Sequence, residues 1–149
     1  LITALVLALA TIAVAADDPF VGTWKMNPDK SKFNPGPAPK SATSICTAQG
    51  NAQKLVFDSV EADGKTTHRS WISTLDGKDH PVVGDPNADM TSDTRVNPNT
   101  IKYAFKKNGK EVYGGQAVVS KDGKTMTDTG GGKDEKGQAF TYTIVMEKQ

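Results

Sequence analysis

The chain has 149 residues, 18 Lys and Arg against 17 Asp and Glu, a formal net charge of +1 and a single cysteine. That length implies one domain, able to bury most of its apolar surface without help from metals or disulfides. Charges of both signs are interspersed, which excludes a basic stripe for nucleic acid and an acidic tail, and a lone cysteine excludes an internal disulfide.

In chain order, the apolar run LITALVLALATIAVA ends in the small-x-small pattern Ala13-Val14-Ala15. It reads as a secretory signal peptide over residues 1–16, removed to leave one domain over 17–149. The run is shorter than the roughly 20 residues of a spanning helix, so no membrane span is expected after cleavage; a retained anchor is the alternative. No basic segment precedes Leu1, so the start of the leader is expected to lie upstream. Export with one cysteine fits a bacterial periplasmic or secreted protein better than a disulfide-dense scaffold.

The stretch FVGTWKMN opens the mature chain as a strand in which Phe20, Gly22, Trp24 and Met26 share the inward face. Gly22 leaves room for a neighbouring chain. Trp24 reads as the plug at a closed end, with Arg95 or Lys148 as a cation over its ring; stacking on a ligand is the other role open to it. Next, NPDKSKFNPGPAPKS (27–41) carries Pro28, Pro35, Pro37 and Pro39, which bar a helix or a central strand. It is expected to be an irregular loop, either a lid or an inert surface wrap. Cys46 in TSICTA reads as a small buried hydrophobe.

From there turn signals recur: ADGK (62–65), LDGK (75–78), KNGK (107–110), KDGK (121–124) and DEKG (134–137). Asp-Gly and Asn-Gly accept the positive φ of tight hairpins. The segments KLVFDSV, KTTHRSWISTL, TIKYAFKK, KEVYGGQAVVS, KTMTDT and QAFTYTIVMEK between them are β-branched and aromatic, and several alternate. Ile101, Tyr103 and Phe105 share one face; so do Phe140, Tyr142, Ile144 and Met146. DHPVVGDPNADM, with Pro81, Gly84 and Pro86, suits an edge strand or rim bend, and GGGKD (130–134) reads as a flexible hairpin. These features predict an all-β fold, an antiparallel up-and-down meander of eight to ten strands closed into a barrel that leaves no free edges.

The order of these features resembles the lipocalin and wider calycin architecture, and more closely the bacterial exported lipocalin-like proteins with the pattern DPFVGTWKxN…KSKF…PGPAPKS…DGK…PVxG. The resemblance covers the mature chain and implies a cup-shaped barrel with a pocket for a small, largely apolar ligand; most of that group has no assigned activity. Two departures stand out. No C-terminal helix follows FTYTIVMEKQ, and only Lys148 stands near the last strand as a cation for the tryptophan. The helices that fill the first connection in the fatty-acid-binding branch are barred here by proline.

Candidate sites follow from the faces. Trp71, Tyr103, Phe105, Tyr113, Phe140 and Tyr142 would line a ligand cavity, or equally fill a solid core. Gly22, Trp24 and Arg95 would close the barrel. His68 and His80 lack metal-ligand spacing and read as solvated, so no metal site is expected, and no cofactor is implied. No nucleophile elbow or Cys/His signature appears, so no catalytic residues are assigned. Asp58 and Asp128 read as outward acids unless turned inward, where they could serve as bases. The leading expectation is a monomer that binds or carries a small apolar molecule. The alternatives are an envelope protein-interaction or inhibitor-type barrel with a filled core, acting through its loops around Phe33 and Pro35, and a small-molecule isomerase or cyclase in which Asp58, His68 or Asp128 meet in a pocket.

Overall fold

Alternation of apolar and polar residues between turn signals produces eleven strands and no helix among the described residues, 18–149 of a computed structural model. The leader and its cleavage point lie outside the described residues. The strands are β1 (Gly22–Met26), β2 (Lys32–Asn34), β3 (Ser41–Gln49), β4 (Ala52–Val60), β5 (Thr66–Ser73), β6 (Asp76–Val83), β7 (Met90–Asn97), β8 (Thr100–Lys107), β9 (Lys110–Val119), β10 (Thr125–Lys133) and β11 (Ala139–Lys148).

From β3 to β11 each strand pairs antiparallel with the next. β1 pairs on one side with β3, Trp24 opposite Ser44, and on the other with β11, Trp24 opposite Lys148. The sheet thus closes on itself as a ten-strand barrel, with β2 added along β11. The first connection is less irregular than its prolines suggest. Lys32–Asn34, between Pro28 and Pro35, is free to donate and pairs with Thr141–Thr143, placing the Phe33 ring 6.5 Å from Tyr142.

The turns follow their chemistry where two residues suffice. Asn108 and Gly109 both take positive φ, 50° and 75°, as a tight hairpin between right-twisted strands requires. LDGK departs from the simple hairpin expected of it. Leu75 turns with φ 58°, but Gly77 lies inside β6 at a bulge against β7. The result is a seam, since β5 and β6 share only the register pairs Ser70–Val83 and Trp71–Val82. GGGKD likewise is not a hairpin: Gly130–Gly132 continue β10, and the turn begins at Asp134.

The buried core is two clusters, the smaller of Val82, Ala88 and Phe105 and the larger around Trp24. Trp24, fully buried, packs with Phe20, Met26, Cys46, Ile101, Val119, Met126 and Met146. Desolvation pushes the Cys46 thiol up to about 12, so it behaves as a buried hydrophobe.

Candidate functional site

Above this layer the inward side chains stop short of one another and leave a cavity of about 1000 Å³. The filled barrel considered from sequence therefore does not describe this interior. Strand parity places all six expected aromatics on its wall: Trp71 from β5, Tyr103 and Phe105 from β8, Tyr113 from β9, Phe140 and Tyr142 from β11. They form a continuous belt. Trp71 meets Phe105 edge-on at 5.4 Å, Phe105 stacks on Tyr113 at 4.6 Å, and Phe140 stacks on Tyr142 at 6.3 Å. Such contacts hold the rings in place independently of any ligand.

Among the polar residues of the wall, three groups of charged side chains interrupt the aromatic belt. Arg69 lies across the Phe57 ring at 4.5 Å, and its Nη1 donates to Asp85 at 3.0 Å and to the Tyr113 hydroxyl at 2.6 Å. Burial alone would raise Asp85, but the Asn87 amide, the Tyr113 hydroxyl and Arg69 together hold it below the usual carboxylate range. Asp93 accepts from Trp71 Nε1 at 3.0 Å and Thr91 Oγ1 at 3.1 Å, and burial raises its pKa.

The third group is Asp128. Its Oδ1 lies 2.5 Å from Tyr103 Oη, which lies 2.5 Å from Tyr142 Oη. This carboxyl is half-buried on the cavity wall, and burial pushes it up to about 6 against the opposing pull of Tyr103 and Arg69. Both tyrosines are raised, first by burial and then by the charge of Asp128.

Glycine makes this arrangement possible. A methyl group at Gly115 would stand 2.8 Å from Tyr103 Oη, and one at Gly130 would stand 2.5 Å from Tyr142 Oη. The inward glycines of β9 and β10 are the bed on which the tyrosines lie.

At the closed end, Trp24 Nε1 donates to the Phe20 carbonyl at 2.9 Å, and Lys148 Nζ sits 5.1 Å from the Trp24 ring. Arg95 lies instead over Phe20, 5.1 Å away, and pairs with Asp18. The reason is register: Lys148 is the β11 partner of Trp24, whereas Arg95 on β7 is held by Asp18 and the Pro98 carbonyl. Gly22 has φ 138°, and a side chain there would strike Lys148, 2.7 Å from Cε.

The other candidates separate. Asp58 and His68 pair at 2.6 Å with about half of the Asp58 side chain and most of the His68 side chain in solvent, so they do not meet Asp128, and Asp128 turns inward rather than out. His80 Nε2 lies 2.9 Å from Thr74 Oγ1, away from the cavity wall. No cluster of three His, Cys, Asp or Glu side chains placed to hold a metal occurs among the described residues. Sequence reading missed Arg69, Asp85 and Asp93. For Arg69 a signal existed, because it shares strand parity with Trp71.

No family model and no curated protein matches the chain in sequence. Among solved structures it is similar to zebrafish ileal bile acid-binding protein complexed with cholic acid. The TM-score is 0.52 and the identity 12%, and the match covers 88% of this chain and 99% of that one. At that identity the likeness is one of fold, a closed antiparallel barrel.

Proposed function

We propose that this protein binds or carries a small, largely apolar molecule inside its barrel. The observation that carries the reading is the open cavity of about 1000 Å³, walled by an aromatic belt with a few fixed polar groups, which is the usual composition of a small-molecule site. The similar barrel that holds cholic acid supports it. Titration with Nile red, a neutral dye that brightens in apolar surroundings, tests the reading. Saturable one-to-one binding is expected, weakened about tenfold when Ala117→Phe fills the cavity without lowering the melting temperature by more than a few degrees. Absence of saturable binding by the wild type would overturn it.

The same proposal places the protein outside the cytoplasm, on the strength of the apolar leader. N-terminal sequencing of protein from the cell envelope or medium would then begin at Ala16 or Asp17; a chain still carrying the leader would contradict it.

A further inference from the structure

The interior polar groups do not balance. Ten charged residues line the cavity; Glu61, Lys107 and the exposed run Lys133–Lys136 make six of them, and the other four are Arg69, Asp85, Asp93 and Asp128. Arg69 and Asp85 neutralise each other at 3.0 Å. Asp93 is supplied with donors by Trp71 and Thr91. Asp128 is left with one donor, Tyr103, and no cation in contact among the described residues. The groups facing it are Tyr103 from β8, Tyr142 from β11 and, at longer range, Arg69 from β5; its cross-strand neighbour on β9 is Ala117, which carries no charge.

Hydrogen positions follow from this chain of contacts. An ionised carboxylate only accepts, so the Tyr103 proton goes to Asp128 Oδ1 and the Tyr142 proton goes to Tyr103 Oη. Both phenolic protons are spent. What remains on these groups is acceptor capacity alone, on Asp128 Oδ2 and Tyr142 Oη, both residues being on the cavity wall. A ligand carboxylate would meet repulsion there, and Arg69, although its buried Nε has no hydrogen-bond partner, has its charge neutralised by Asp85. A hydroxyl would supply one proton and no charge. An ammonium group supplies three donors and the missing positive charge, and the surrounding ring faces attract it further.

We propose that the barrel selects an apolar amine, its ammonium group seated on Asp128 and Tyr142 and its hydrocarbon body among Trp71, Phe105, Tyr113 and Phe140. This rests on the cavity-binding reading above and names the ligand class. Because the whole chain carries a formal net charge of +1, general electrostatic attraction does not favour a cation.

The test uses ligands of one chain length and three head groups, nonylamine, nonan-1-ol and nonanoate, each displacing Nile red from the mature protein at neutral pH. Nonylamine is expected to displace the dye at a concentration about tenfold below nonanoate, and Asp128→Asn to abolish that preference while still binding the dye. Equal displacement by amine and acid, or an amine preference untouched by Asp128→Asn, would overturn the inference and leave cavity binding standing. Failure of the dye to bind at all would remove both. Should Asp128→Asn not fold, Tyr142→Phe carries the test: an affinity for nonylamine reduced about threefold or more with nonanoate unchanged supports the site, and no change overturns it.

Discussion

Asp128 holds its proton more tightly in the folded chain than in the unfolded one, its pKa moving from 3.8 to about 6. A carboxyl raised on folding contributes stability that is complete below the unfolded pKa and lost as pH rises through the folded one. The shift corresponds to about 3 kcal/mol between about pH 4 and pH 7. Asp128→Asn is therefore expected to gain on the wild type by up to that amount across this window, read from urea melts at each pH; a constant difference would contradict the assignment. Asp93 shifts in the same direction and stays in the variant, so only the difference between the two proteins isolates Asp128. Asp85→Asn should act oppositely, costing about 3 kcal/mol because it leaves the buried Arg69 guanidinium without its counter-charge. Urea denaturation at neutral pH checks this, and a neutral outcome would show that solvent reaches Arg69. The inward direction of Asp128 was legible, since it shares parity with Met126 and Gly130, but a general preference of acids for solvent pointed the other way. What no window of sequence shows is that Tyr103 and Tyr142, from two other strands, converge on it.

Among the elements, β10 illustrates how a strand can depend on residues of poor strand propensity. Gly130–Gly132 read as loop because glycine weakens strands. Here they continue the ladder, and Tyr142 occupies the space a side chain at Gly130 would need, the Phe140 carbonyl that at Gly131 and Tyr113 that at Gly132. Gly130→Ala is accordingly expected to destabilise by about 1 to 3 kcal/mol, although alanine is the better strand former; an unchanged melting temperature would contradict the packing. The strands with aromatic alternation, β4, β5, β8, β9 and β11, were legible. β3 and β7 were not, and β6 only as the edge strand or rim bend of DHPVVGDPNADM, because SATSICTAQ, DGKDHPVV and MTSDTRVN lack that pattern and gain their places from neighbours on both sides. The β5–β6 seam was equally hidden, since LDGK announces a turn but not the bulge after it. With so few pairs joining these strands, peptides covering Ile72–Lys78 are expected to exchange amide hydrogens well before those covering β10 and β11. Uniform protection would show the seam to be closed.

For the whole molecule, alternation fixes which residues face inward but not how many strands share the circumference, and the circumference decides between cavity and core. Ten strands enclose more room than the inward aromatics fill, and that difference is the basis of the functional reading. The most direct test is a methyl NMR titration with nonylamine on protein labelled at Ile, Leu and Val. Leu55, Ile101 and Ile144 face the cavity, whereas Ile45, Ile72, Val83, Val96 and Val118 lie exposed on the outside. Binding within the barrel predicts saturable shifts at the first three with the outer five unmoved. Shifts confined to the outer methyls, with Leu55, Ile101 and Ile144 unchanged at saturation, would contradict it.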